Sequence, residues 1–304
     1  MTARGPWRQL TPGASLTLRS VRDRVEGFVG RSYSRTMTGS QHEVLIVRYG
    51  TRTTTRSDVF LNYHAYGEPD GPMEMDYFFW VIQGDAGPVV VDTGFSRDAG
   101  RARGRTMLID PREALAELGI ERADAPRVII THGHYDHIGN LSHFNESQVV
   151  VARAEAEFWA GPHARHVLFR HAVEESELQA LADVIGEGRA ILFEDHYEVA
   201  PGIQVLRVGG HTPGQSVVVV QTAAGPVVLA SDAVHYYEEM QRDMPFSSVA
   251  SLVDMYAAFA ELKAMLSDGR AAQVVSGHDP STLDLYPQVP GPAGAKMAVI
   301  GRQA

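Results

Sequence analysis

The chain has 304 residues, a net charge of -10 and no cysteine. A hydrophobic share of 44% and a charged share of 21% suit a globular protein with one large domain or two modest ones. The missing cysteines exclude disulfides, thiolate metal sites, iron–sulfur clusters and cysteine nucleophiles, and the acidic balance argues against a polyanion as main partner.

No apolar run reaches the roughly 20 residues that cross a bilayer. The opening MTARGPWRQLTPGASLTLRS carries arginines but no apolar stretch of the secretory type. Residues 1–40 hold Arg4, Arg8, Arg19, Arg22, Arg24, Arg31 and Arg35, spread too thinly to form a basic block. They read as an extension, partly helical around Leu16 to Phe28, packed on the body or on a partner subunit. Residues 41–304 read as one domain.

From Glu43 the pattern changes. EVLIVRYG reads as a strand, and DVFLNYHAYG continues in that style. DYFFWVIQGDAGPVVVDTG is two apolar runs around a Gly/Pro turn, a buried hairpin. PREALAELGI has helical spacing and stops at Gly119. PRVIITHGHYDHIGN is a buried strand running into a polar loop, and SQVVVARAEAEFW is a strand followed by a helix. ARHVLFRHAVEESELQALADVIGEG reads as two helical segments, or one with a break. IQVLRVGGHTPG, SVVVVQTAAGPVVLASDAVHYY and AAQVVSGHDP are strands ending in polar loops, and ASLVDMYAAFAELKAML is an amphipathic helix. Gln83, Ala86, Gly87 and Pro88 recur as Gln221, Ala224, Gly225 and Pro226 at an offset of 138, which suggests two similar halves. The class is mixed α/β, two sheets between helix layers.

Chemistry concentrates at Thr131-His132-Gly133-His134-Tyr135-Asp136-His137. His132 and His134 are two apart, so an extended segment points both the same way. Asp136 and His137 are adjacent and point differently, so one loop can feed two metal ions. Three further ligand candidates share one format. IQVLRVGG ends in His211, PVVLAS in Asp232 and AAQVVSG in His278. Strand ends hold ligands rigidly, as a metal site requires. Histidine with carboxylate suits zinc, or iron, manganese or cobalt.

Over residues 43–290 this pattern resembles the metallo-β-lactamase superfamily, whose fold is a four-layer αββα sandwich of two similar halves. The resemblance implies two divalent metal ions, most often Zn2+. One would be held by His132, His134 and His211, the other by Asp136, His137 and His278, with Asp232 bridging. Asp92 in VVVDTG matches an aspartate that orients the site from behind the ligands. The implied chemistry is attack of a metal-bridging hydroxide on a carbonyl carbon.

Within the superfamily, GGHTPGQS, LASDAV and SGHDP resemble the N-acyl homoserine lactonase branch. That resemblance implies a hydrolase opening a lactone, with signal quenching as one role. It would be cytoplasmic, with a small-molecule substrate and no nucleic-acid or membrane partner, and a homodimer is open. Thioesterases of the glyoxalase II type, cyclic amide and phosphotriester hydrolases share the ligand set, and a mononuclear iron sulfur dioxygenase is a further alternative. Lactonases carry a tyrosine three residues after the bridging aspartate, as a donor to the carbonyl. Here that position is His235, so Asp136, His235 and Tyr236 are the candidate catalytic residues. Met73, Met75, Phe78, Phe79 and Trp80, then Phe158 and Trp159, then Tyr236, Tyr237, Met240, Met244 and Phe246 are candidates for an apolar pocket. His163 and His166 fall on one helix face.

Overall fold

The computed structural model describes residues 41–84, 87–293 and 295–302. The expected N-terminal extension lies outside them. The first sheet begins with β1 (Glu43–Thr55), β2 (Pro72–Gln83), β3 (Val89–Val91), β4 (Thr106–Met107), β5 (Arg127–Ile129), β6 (Val149–Ala152) and β7 (Ala190–Phe193). The second holds β8 (His196–Ala200), β9 (Ile203–Arg207), β10 (Ser216–Thr222), β11 (Gly225–Leu229) and β12 (Gln273–Val275). The chain then returns to the first sheet with β13 (Gln288–Val289) and β14 (Lys296–Ile300).

Each half repeats one plan. The hairpin β2–β3 is antiparallel and continues parallel into β5. The hairpin β10–β11 is antiparallel and continues parallel into β12. These are the two segments that echo each other in sequence. Parallel strands are buried on both faces and read as unbroken valine runs rather than alternating ones, as in β3 and β6.

Two cores flank the first sheet. Ile46, Phe78, Trp80, Val91 and Ile129 face Val205, Val218, Val227 and Val275 of the second sheet. On the other side Val47, Phe79, Val90 and Val128 meet Ala114 and Leu115 of α1 (Pro111–Glu117) and Leu181 and Val184 of the helix Glu175–Gly186. Phe78, Phe79 and Trp80 are thus core residues, not pocket lining. The helix Leu252–Asp268 contacts β12 and buries Met255, Phe259 and Leu262. Among the described residues no helix is long and apolar enough to cross a membrane.

Two local expectations need correction. DVFLNYHAYG is not a strand. Thr55 caps a helical turn over Arg56–Val59, and Asn62 at φ 50 opens a 3-10 turn over Tyr63–Tyr66. Val59, Phe60 and Tyr63 are buried, and the spacing i, i+1, i+4 is helical rather than alternating. His163 and His166 do not share a helix face either, because His163–Arg165 is one 3-10 turn and His166 is extended at φ -71, ψ 142.

Candidate metal centre

The ligand candidates sit where the sheets deliver them. β5 ends at Ile129, and His134, extended at φ -71, ψ 151, caps α2 (Tyr135–Ile138). The switch from extended chain to helix separates the pair His132 and His134 from the pair Asp136 and His137. His211 follows β9, Asp232 follows β11 and His278 follows β12.

All seven are buried and form two groups, His132, His134, His211 and Asp232 in one and Asp136, His137 and His278 in the other. Asp232 divides its oxygens between them. Its Oδ2 lies 3.2 Å from His211 Nε2 and 3.6 Å from His132 Nε2. Its Oδ1 lies 3.1 Å from His137 Nε2 and 3.0 Å from His278 Nε2. His211 Nε2 and His134 Nδ1 are 2.8 Å apart. Asp136 oxygens stand 3.9 Å from His137 Nε2 and from His278 Nε2. Donor atoms of a tetrahedral zinc are about 3.3 Å apart, from bond lengths of about 2.0–2.2 Å.

The outer ring nitrogens have acceptors, which fixes the tautomers. Nδ1 of His137 faces Asp92 Oδ2 at 2.7 Å, Nδ1 of His278 faces the Asp76 carbonyl at 2.7 Å, and Nδ1 of His211 faces the Ser248 carbonyl at 2.8 Å. Each ring therefore turns an Nε2 lone pair inward. Nε2 of His132, of His137 and of His235 is buried without a hydrogen-bond partner. Unpartnered buried nitrogens, five imidazoles and two carboxylates fit a pair of divalent ions.

Charge tells the same story. Burial and the neighbouring histidines hold His132 and His134 well below the usual imidazole range, so both are neutral. Burial alone would raise the Asp232 carboxyl. His137, His235, His278 and His132 outweigh it and hold Asp232 well below the usual carboxylate range.

Asp92 stands behind the ligands, as a residue of left-handed φ 60. It accepts from the Thr131 N–H and hydroxyl, both at 2.9 Å, as well as facing His137. Glu155 does the same work for the first group, and the sequence carried no signal for it. Its fully buried carboxylate accepts from Gly133 N at 2.8 Å, Trp159 Nε1 at 2.6 Å, Thr212 Oγ1 at 2.7 Å and Gly214 N at 2.9 Å. It thereby joins the His132–His134 loop to the His211 loop. Both glycines are needed there. A Cβ on Gly133 would meet Trp159 Nε1 at 2.3 Å, and one on Gly214 would meet Glu155 at 2.4 Å.

His235 is fully buried beside Asp232. Its Nε2 is 3.0 Å from Asp232 Oδ2, its Nδ1 is 3.3 Å from Glu239 Oε2, and its ring stacks on Phe246 at 3.8 Å. Burial would lower its pKa, but the two carboxylates outweigh this and push it up to about 9. Tyr236 is not brought to the ligands, because its hydroxyl donates to the Glu74 carbonyl at 3.0 Å and its ring faces Phe60. Tyr237 is also turned away, its hydroxyl accepting from Ser276 N. Trp159 does stand against the site, with its ring 5.9 Å from that of His134.

On the side of the second group, Tyr77 packs edge-on against His278 at 5.2 Å. Burial and Asp136 push its phenol up to about 12. The Tyr135 hydroxyl donates to that of Tyr77 at 3.4 Å and accepts from Arg105 Nε at 3.0 Å.

This fold and this ligand arrangement define a class. The family model of the metallo-beta-lactamase superfamily matches residues 76–278, and the chain belongs to that superfamily. An N-acyl homoserine lactonase of a Bacillus species is 29% identical over 226 residues, 69% of this chain and 84% of the relative. Among solved structures, a quorum-quenching N-acyl homoserine lactone lactonase superposes with a TM-score of 0.67 at 21% identity, covering 80% of this chain and 95% of that one. AidC, a dizinc quorum-quenching lactonase in complex with a product, superposes with a TM-score of 0.65 at 17% identity, covering 88% and 96%.

Proposed function

We propose that the protein is a dinuclear metal-dependent hydrolase that opens a lactone. The observation that carries this reading is the division of Asp232, with one oxygen toward His132 and His211 and the other toward His137 and His278. His132, His134 and His211 would hold one ion, and Asp136, His137 and His278 the other. Divalent ions bound there supply a water acidic enough to ionise near neutral pH and polarise the substrate carbonyl.

The chain's own residues do the rest. Metal-bound imidazoles would bring no charge of their own, so two divalent ions held by five imidazoles and the carboxylates of Asp136 and Asp232 would leave a net positive site, suited to a carbonyl oxygen and to a carboxylate product. Asp92 and Glu155 hold the two ligand sets in register by accepting hydrogen bonds from behind. His235 lies against Asp232 Oδ2, with its ring next to those of His211 and His278. Zinc is the proposed metal and an N-acyl homoserine lactone the proposed substrate, on the curated relatives' activity. A cytoplasmic setting and a homodimer belong to the same proposal.

A second reading is hydrolysis of a thioester or another activated carbonyl, favoured by one departure, His235 where lactonases carry tyrosine. A panel of lactones, thioesters, aryl esters and phosphotriesters, given to the metal-loaded protein, separates the two. Lactones should show the highest kcat/KM, with a product heavier by one water. Lactone turnover that survives complete chelation, or a thioester preference, would overturn the lactone reading.

A further inference from the structure

The lactonase-like position for a carbonyl donor holds His235, and that ring is covered. Phe246 lies flat on it at 3.8 Å with an interplanar angle of 13°, and both ring nitrogens face carboxylates. Tyr236 and Tyr237, the next candidates, direct their hydroxyls elsewhere. A donor for the oxygen that becomes anionic must come from another element.

One hydrogen-bond chain at the site ends in an unused proton. Arg105 Nε donates to the Tyr135 hydroxyl, and Tyr135 donates to the Tyr77 hydroxyl. Arg105 has a second bond, from Nη1 to the Arg103 carbonyl, and forms no ion pair among the described residues. Its charge is therefore available to polarise the hydroxyls in front of it. The Tyr135 ring is held in place by Arg103, whose guanidinium lies 4.3 Å from the ring centroid, and by Phe95. Tyr77 accepts from Tyr135, and its own O–H has no acceptor among the described residues. A phenol is protonated at neutral pH, so this buried O–H is a donor waiting for a partner. The Tyr77 ring stands edge-on to His278, and its hydroxyl meets Tyr135, the sequence neighbour of Asp136.

We propose that Tyr77 is the catalytic donor to the oxygen anion that forms when the substrate carbonyl is attacked, with Tyr135 and Arg105 as positioning residues behind it. The proposal rests on the hydrolase reading above. In the step it serves, water adds to the carbonyl carbon and the former C=O electron pair moves onto oxygen. Tyr77 hydrogen-bonds that oxygen without giving up its proton. The C–O ring bond then breaks, and the ring oxygen leaves with a proton from the attacking water. A cationic residue at the start of the chain strengthens each hydroxyl as a donor, because charge-assisted and linked hydrogen bonds reinforce one another.

The test uses the full-length, metal-loaded protein and whichever ester, thioester or lactone the wild type turns over fastest, so the substrate class can fail separately. Tyr77→Phe keeps the ring against His278 and removes only the hydroxyl. We expect two ions per chain by elemental analysis, an unchanged KM and a kcat lowered about 10²-fold, the usual size for one lost oxyanion donor. Binding of an alkyl phosphonate, a mimic of the tetrahedral anion, should weaken by a similar factor in calorimetry. Arg105→Met should lower kcat about tenfold, and Arg105→Lys should recover part of it. An unchanged kcat and phosphonate affinity in Tyr77→Phe would overturn the proposal. So would a loss confined to metal content or KM, which would make the hydroxyl a packing group.

Discussion

Replacing Glu155 by glutamine separates a merely buried acid from one that builds the first metal group. The carboxylate takes four donors, two on each oxygen. Glutamine keeps the shape but turns one oxygen into NH2. If the NH2 meets Gly133 N and Trp159 Nε1, two pure donors lose their acceptor. If it meets Thr212 and Gly214, the Thr212 hydroxyl can rotate and accept, and only the Gly214 N–H is orphaned. The second arrangement should win. One buried unsatisfied donor costs about 1–3 kcal/mol, and the remaining bonds lose their charge assistance, so about 2–4 kcal/mol is expected in stability. The damage falls on the contact between the loop of His132 and His134 and the loop of His211. Asp136, His137 and His278 make no contact with Glu155, so their group should keep its ion. Loss of an outer partner lowers metal affinity about 10–100-fold. Competition titration with a chelator should therefore show one weakened ion and one of near wild-type affinity. Equal weakening of both ions, or two ions of wild-type affinity, would refute the assignment.

Three other outcomes follow from the same geometry. Asp92→Asn tolerates the left-handed backbone but faces His137 with a weaker acceptor. The ion of the Asp136, His137 and His278 group should weaken about tenfold, read by the same titration, and preferential loss of the other ion would contradict it. His235→Phe leaves the buried Glu239 with only the backbone N–H of residue 235 and should cost about 3–5 kcal/mol in denaturant unfolding. His235→Phe combined with Glu239→Leu should recover much of that, and simple additivity would argue against the pairing. Stripping the metals should lower Tm, because ions bound only to the folded state stabilise it. Zinc should restore Tm and turnover together, and a Tm indifferent to chelation would count against the ligand set.

The ligand set was legible because its signals are local. His132 to His137 lie in one short run, and each remaining ligand follows an apolar strand and a small residue. The hairpins were legible because Gly87 and Gly225 sit at φ 92 and 101, where a side chain is strained. The turn at Arg56–Tyr66 was misread because Val59, Phe60 and Tyr63 carry strand-like residue types, and only contacts across the fold decide between turn and strand. Strand β14 went unread because a short apolar run at the end of a chain has no partner until β1 is in place.

Glu155, Glu239 and the Arg105–Tyr135–Tyr77 chain were not legible, for a different reason. Their meaning lies in partners far along the chain. Glu155 meets Gly133 at a separation of 22 residues and Gly214 at 59. In sequence it is one of several acids in a helix, where exposure is the default expectation for a glutamate. Spacing along the chain from Asp232 points to His235 as the substrate donor. That imidazole is fully buried, with Nδ1 bonded to Glu239, Nε2 3.0 Å from the Asp232 carboxylate and Phe246 flat on its face, so it is covered on every side. The hydroxyl of Tyr77 has a proton to offer, and it stands on a strand separated from Asp232 by the whole first ligand loop. A donor lost at one position and supplied from another leaves no trace in spacing, only in which buried proton lacks an acceptor.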